Sequence, residues 1–242
     1  MEPVISIIIP TLAEGAYLED TLENLKGMTF PHEIIVTDGG SADGTLEIAR
    51  RYTDKVVVWD EKRRQTFGEA KNAGATLAAG KYLVFIDADV IIPDPDGFFR
   101  KLIADFDAQP GLVADTVSLR PRPEYAHLGD SFFSEPLNLW YVISNNIFHY
   151  GNASGEFQMI RRSAFERAKG YREDLPGGED TDMFNRLSKI GRTRSHWQLA
   201  VLHTCRRAHK EGWIRLYFLW IKQGFSVLLF KKAGVDEWKV IR

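Results

Sequence analysis

The stretch Gly80-Lys81-Tyr82-Leu83-Val84-Phe85-Ile86-Asp87-Ala88-Asp89 decides the fold. Tyr82 to Ile86 is an unbroken apolar run, the signature of a strand buried on both faces, opened by a glycine turn and closed by two carboxylates. Toward the N-terminus, Ile5 to Ile9, Glu33 to Thr37 and Lys55 to Trp59 repeat the strand signature. Between them Ala16 to Leu25, Thr45 to Tyr52 and Thr66 to Ala79 read as helices, bounded by Gly15, the Gly39-Gly40 pair and Gly80. The alternation specifies an α/β fold, a mainly parallel central sheet flanked by helices. Such sheets bind ligands beyond the carboxyl ends of their strands, so the polar clusters there are the candidate sites.

Beyond Asp89 the pattern changes. Pro93 and Pro95 lead to a helix from Asp96 to Phe106, then a strand near Leu112 to Leu119 and a loop at Arg120-Pro121-Arg122-Pro123. Phe132 to Phe148 reads as a long apolar helix, Phe157 to Arg161 as a strand, Ser163 to Ala168 as a short helix capped by Ser163. Glu179 to Ile190 reads as a helix ended by Gly191, and Trp197 to Leu202 as a last strand. Without repeats or low-complexity stretches, this is one domain over 1–210 with a helical appendage over 211–242.

The 242 residues are 44% hydrophobic and 26% charged, which excludes disordered, collagenous and disulfide-scaffold classes. The net charge of −2 conceals an asymmetry: residues 1–202 carry 22 Lys and Arg against 30 Asp and Glu, whereas 203–242 carry 9 against 3. An acidic body argues against a nucleic-acid partner, which needs a basic groove. Cys205 stands alone and forms no internal disulfide, and Val4 to Ile9 is too short for a signal-peptide core, so the expected location is cytoplasmic. The sequon Asn152-Ala153-Ser154 is then incidental.

Four clusters carry candidate chemistry. Asp38-Gly39-Gly40-Ser41 follows the second strand, where a carboxylate can accept hydrogen bonds from a base or ribose; a plain turn is the bland alternative. A dinucleotide fingerprint would follow the first strand, where Pro10-Thr11-Leu12-Ala13-Glu14 stands instead, and no Walker A sequence is present. In Asp87-Ala88-Asp89, one carboxylate can bind ligand polar groups and the other a hard divalent cation. Gly177-Gly178-Glu179-Asp180-Thr181-Asp182 opens a helix with three acids, either complementing the helix dipole or presenting a general base. His203 ends an apolar strand just before Arg206 and Arg207: the imidazole can complete a metal shell and the arginines can engage a diphosphate. Cys205 and His209 lack the partner spacing of a zinc site.

In order along the chain, Ser6-Ile7-Ile8-Ile9-Pro10-Thr11, Val36 to Thr45, Ala70-Lys71-Asn72-Ala73-Gly74, Gly80 to Asp89, Met159-Ile160-Arg161-Arg162 and Gly178-Glu179-Asp180 resemble the inverting glycosyltransferases of family 2, which have the GT-A fold. The resemblance implies that Pro10, Thr11 and Glu14 shape a nucleotide pocket, that Asp38 contacts the base and that Lys71 lies near the nucleotide. It places Asp87 at the ribose or sugar, Asp89 on Mg2+ or Mn2+ at the diphosphate, and Asp180 as the base; His203 resembles a late metal ligand. It divides the domain into a donor half, about 1–110, and an acceptor half, about 111–210. Two departures touch base recognition: Ala13 replaces an amide and Gly39 a second acid. The QxxRW motif of processive synthases is absent after His203, which favours transfer of one sugar from a nucleoside-diphosphate sugar, UDP-linked ahead of GDP-linked. The rivals are a nucleotidyltransferase, which would show a basic Gly-rich loop after the first strand, and a non-catalytic sugar-nucleotide module, against which Asp89 and Asp180 speak.

From Trp213 to Phe230, 13 of 18 residues are large and apolar, with Arg215, Lys222 and Ser226 on one narrow stripe. Interrupted by charge, the segment is too polar for a span. The expected cover is the domain core, a second copy of the chain or an anionic bilayer surface. Lys231 and Lys232 favour the last, and with it peripheral membrane contact and a lipid-linked acceptor. The acceptor is expected to contact the segment between Phe132 and Gly155.

Overall fold

Continuous apolar runs fold into the central sheet because helices cover both of its faces. The computed structural model describes residues 2–230 and 232–234; the part of the predicted basic ending at Lys231 and the appendage beyond 234 lie outside the described residues. The first half of the chain runs β1 (Ile5–Thr11), α1 (Leu18–Lys26), β2 (His32–Asp38), α2 (Thr45–Tyr52), β3 (Val56–Val58), α3 (Phe67–Leu77), β4 (Tyr82–Ile86) and α4 (Pro95–Ala108). There follow β5 (Leu112–Pro121), α5 (Asp130–Val142), β6 (Phe157–Arg161), α6 (Arg162–Arg167), α7 (Glu179–Leu187), β7 (Arg192–His203), α8 (Arg206–Glu211) and α9 (Trp213–Phe225).

The seven strands lie in the order β3-β2-β1-β4-β6-β5-β7. β1 to β4 are parallel, β6 runs antiparallel to both neighbours, and β5 and β7 are parallel to each other. The chain steps outward from β1 to β2 and β3, then returns to the other side of β1 with β4. That reversal opens a crevice at the carboxyl ends of β1 and β4, the place where α/β sheets bind ligands. Ile5, Ile7 and Ile9 pack on one face against Leu18, Leu22 and Leu25 of α1, while Ile8, Ile35 and Phe85 pack on the other.

Two glycines set the approach to β1. A Cβ on Gly74 would collide with Ile8, so α3 lies close enough to the sheet to bring Lys71, one turn earlier, into the interior. A Cβ on Gly80 would stand 2.7 Å from the backbone of both Ile5 and Ser6. The mouth of α3 is fixed by a capping box between Thr66 and Glu69.

The second half of the chain departs from the sequence reading in detail. The last strand begins at Arg192 rather than Trp197, with a register break between Val117 and Ser118 on β5 that bulges the Trp197 region out of the ladder. Ser163 does not cap α6; Arg161 occupies that position with no side-chain cap, because the helix follows β6 directly. The long apolar helix widens into a π-helical turn at Ile143–Ile147. The segment after His203 is broken at Gly212, whose φ of 85° ends α8 before α9 begins.

Because the obstacle to a Cβ at Gly80 is main chain rather than a movable side chain, Gly80→Ala is expected to cost about 1–3 kcal/mol. Urea unfolding should show a lower midpoint with unchanged slope.

Candidate active site

The turn after β2 folds onto the Asp38 carboxylate, which also meets the end of β1. It accepts hydrogen bonds from Thr11 Oγ1 (2.9 Å), Gly40 N (3.0 Å), Ser41 N (2.7 Å) and Ser41 Oγ (2.6 Å), and is buried. Asp38 therefore braces the crevice from behind: Gly39, not Asp38, lines the cavity. Ala13, held by Ser41 through its N–H (2.8 Å), adopts φ 59°, a left-handed conformation that favours the amide it replaces.

From the turn after β1 Glu14 reaches across to α8, where Arg206 grips it with two hydrogen bonds of 2.6 and 2.7 Å. Burial raises the Glu14 pKa above the ordinary carboxylate value, and Arg206 works against that rise. The same guanidinium lies 3.5 Å from Asp89 Oδ2 and over the Tyr17 ring. A single antiparallel bridge, Ile91 to Leu202 with two 2.8 Å hydrogen bonds, straps the segment after Asp89 to the end of β7. This brings Thr204 Oγ1 onto Asp89 Oδ2 as a donor, and His203 lines the same cavity.

His203 Nδ1 lies 3.8 Å from Glu156 Oε1, and its Nε2 3.4 Å from Cys205 Sγ. Burial, then Glu156 and Asp89, push the Asp87 pKa well above its usual value. The pocket offers carboxylate oxygens and one imidazole, donor types that Mg2+ and Mn2+ accept. Among the described residues, the only group of three or more ligand-type side chains clustered within 4.8 Å is Asp130, Cys205 and His209, at the α5–α8 junction. There Asp130 already accepts from His127 N, His209 and Trp213 (2.8, 2.8 and 2.9 Å), and burial pushes the Cys205 thiol up to about 12, so the group is a structural clamp.

Lys71 is 1% exposed and donates to Glu179 Oε1 (2.9 Å) and Asp180 Oδ1 at the start of α7. Burial alone would strip its proton; Asp180 and Glu179 outweigh it and hold the pKa well above the usual lysine value. Glu179 is raised to about 7 by burial and by Asp180 beside it. The Asp180 carboxylate faces Asp87: a Cβ on Gly155 would lie 3.0 Å from Asp180 Oδ2 and 3.9 Å from Asp87 Oδ1.

These groups surround one cavity of about 1170 Å3, larger than most single-ligand clefts. Pro10, Thr11, Glu14, Lys71, Asp87, Asp89, Asp180, His203, Arg206 and Arg207 all line it; of the sequence candidates only Asp38 does not. The opposite wall is aromatic, with Trp140 and Tyr141 of α5 and Trp213, Tyr217 and Trp220 of α9. The reading from sequence missed Gly155, Glu156, Gln158, Tyr171 and Thr204. Thr204 stood beside a residue already singled out, and Gly155 closed a loop already marked, but nothing local ties Gln158 or Tyr171 to Asp180.

A mostly parallel sheet with a DxD pair in its switch-point crevice, and a third carboxylate facing it from a helix N-terminus, defines a GT-A glycosyltransferase. The model of glycosyl transferase family 2 matches residues 6–168, and the chain belongs to that family. The succinoglycan biosynthesis protein ExoA of Rhizobium meliloti (strain 1021) is 30% identical over 195 residues, covering 76% of this chain; the chain spans 58% of that protein's length. The structure of the mannosyltransferase PcManGT from Pyrobaculum calidifontis, in complex with GDP-Man and Mn2+, superposes with a TM-score of 0.74 at 21% identity, over 95% of this chain and 65% of that one. Glucosyl-3-phosphoglycerate synthase from Mycobacterium tuberculosis, in complex with Mg2+ and UDP, gives 0.60 at 20% identity, over 97% of this chain and 81% of that one.

Glu179 gives a stability signature. Its folded pKa of about 7 lies above the unfolded value near 4.5, so its contribution is full below about pH 4.5 and is lost as pH rises through 7. Between pH 5 and 8 the Tm of Glu179→Gln should fall less than that of the wild type in thermal unfolding; parallel curves would contradict the assignment.

Proposed function

We propose that the chain transfers one sugar from a nucleoside-diphosphate sugar to an acceptor hydroxyl, with inversion at the anomeric carbon. The observation that carries the reading is the pair of carboxylates facing each other across Gly155: Asp87 on the donor side and Asp180 on the acceptor side. Asp180 Oδ2 takes the hydroxyl proton, the oxygen attacks the anomeric carbon, and the diphosphate departs on the opposite face. Pro10, Thr11 and Glu14 shape the nucleotide end, Asp38 braces it, and Arg206 and Arg207 bring positive charge to the diphosphate. Asp89 and His203 are the residues that would hold a divalent ion, which would supply charge neutralisation of the leaving group. GDP-Man with Mn2+ in PcManGT and UDP with Mg2+ in the mycobacterial synthase support a donor and ion of these classes.

We assign residues 1–210 to the catalytic unit and the helical segment that follows to the acceptor side. Among the described residues no helix is long and apolar enough to cross a membrane. Yet α9 leaves Ile214, Phe218, Ile221 and Phe225 more than half exposed, with Arg215 and Lys222 also exposed beside them. Burying each such side chain is worth about 1.5–3 kcal/mol. Ile221 and Phe225 also line the cavity, so the apolar face continues into the acceptor wall. This supports a lipid-linked acceptor met at an anionic membrane surface on the cytoplasmic side.

With UDP-glucose, UDP-GlcNAc and GDP-mannose as donors, Asp180→Asn is expected to lower turnover about 10²- to 10⁴-fold with donor binding retained. EDTA should stop the reaction and Mn2+ restore it; an active Asp180→Asn enzyme removes the base assignment. In flotation with anionic vesicles, wild-type protein should rise with the lipid and Phe218→Ser/Phe225→Ser should remain below. A wild-type protein that stays below and elutes as a dimer would give this face to a second copy instead.

A further inference from the structure

The two oxygens of Asp180 are not equivalent. Oδ1 accepts from the Lys71 ammonium and from Gln158 Nε2 (2.8 Å), while Oδ2 is the oxygen turned toward Gly155. Gln158, on β6 and fully buried, also donates through Nε2 to Ser154 O (2.9 Å), and its Oε1 accepts from the Tyr171 hydroxyl. The amide orientation follows from chemistry alone: Asp180 and the Ser154 carbonyl only accept, so the NH2 must face them and the carbonyl must face Tyr171. A hydroxyl donor at Tyr171 therefore locks Gln158 as a donor toward the base.

Tyr171 is itself immobilised. Its ring packs edge-on against Phe85 (5.0 Å) and Phe165 (5.8 Å), and Asn72 clasps its backbone with hydrogen bonds of 2.8 and 2.9 Å. Asn72 follows Lys71 on α3, so one helix turn supplies both the cation on Oδ1 and the clamp on Tyr171. The ring also lies 4.9 Å beneath Lys71 Nζ.

We propose that Gln158 and Tyr171 are positioning residues for the transfer: Tyr171 orients the Gln158 amide, and Gln158 with Lys71 pins Oδ1 so that Oδ2 is presented to the acceptor hydroxyl. The proposal rests on Asp180 being the base. Orientation fixed before the reaction contributes to rate because a small misplacement of a reacting group is costly.

The test measures nucleoside-diphosphate release with Mn2+ and the three donors above for the wild type, Asp180→Asn, Gln158→Leu, Tyr171→Phe and the Gln158→Leu/Tyr171→Phe double variant. Gln158→Leu and Tyr171→Phe should each lower kcat by about 10- to 100-fold, with donor KM and UDP affinity by calorimetry changed less than about threefold. Tyr171→Phe deletes one oxygen and should keep nearly the wild-type Tm, which preserves the test where Gln158→Leu folds poorly. Because Tyr171 acts through Gln158, adding Tyr171→Phe to Gln158→Leu should cost almost nothing more. Independent, multiplying losses overturn the relay, as does an unchanged kcat in both single variants. A crystal structure of Gln158→Leu should show the Asp180 carboxyl rotated; an unmoved carboxyl also overturns it. Wild-type activity in Asp180→Asn, or no turnover of any donor by the wild type, overturns the base reading instead, whereas an inactive Asp180→Asn beside unimpaired Gln158 and Tyr171 variants refutes the positioning role alone.

Discussion

A buried ammonium between two carboxylates is the constraint around which this site is arranged. Removing Lys71 from water is tolerable only because Glu179 and Asp180 meet it, and burying those acids is tolerable only because Lys71 is there. With one cation against two acids, the cluster carries an excess negative charge that burial penalises. A proton on Glu179 relieves it, which is why that residue and not Lys71 titrates near neutrality. The cluster also ties α3, fixed against β1 by Gly74, to the N-terminus of α7. Asp180 is thereby referenced to the same strand that ends at the Pro10–Glu14 turn.

A second ionic seam closes the opposite side. Glu14 from the first crossover and Asp89 from the central strand converge on Arg206, nearly two hundred residues from Glu14 in sequence. This gives the split in charge along the chain a structural meaning at one point: the acidic body supplies the crevice carboxylates, and Arg206 of the basic segment folds back as counter-charge to Glu14 and Asp89. The remaining acid excess around Asp87, Glu156 and Asp89 is negative charge that a divalent cation would offset.

The strands of the first half of the chain were legible because a sheet covered on both faces writes its burial into contiguous residues. Helix α3 was legible as well, through its Thr66 start and glycine stop. The second half was less so: a bulged strand, a π-helical turn and a helix that follows β6 without a cap obey tertiary packing more than local propensity. At the site, strand-end carboxylates stood out by position, but their tasks did not. Asp38 could be seen to sit at the crevice; that its oxygens are consumed by Thr11, Gly40 and Ser41 follows only from the fold. Gln158 sits within an otherwise apolar strand, a local irregularity that signals a buried partner without naming it.

The C-terminal helix divides its apolar residues between a buried and an exposed face. A segment so apolar would ordinarily be drawn wholly into a core, yet α9 buries Leu216 and Gln223 and leaves Ile214, Phe218 and Phe225 outside. Its inner face has two tasks. Trp213, Tyr217 and Trp220 close the cavity, and the helix packs so tightly on the turn before Glu179 that a Cβ on Gly178 would meet Gln223 Cγ at 3.0 Å and Val227 Cγ2 at 2.9 Å. With Gly178 at φ 77°, neither the backbone nor the space admits another residue there. Gly178 thus serves the helix behind it as much as the carboxylates that follow it, and the exposed apolar face is the outer side of a wall whose inner side lines the cavity.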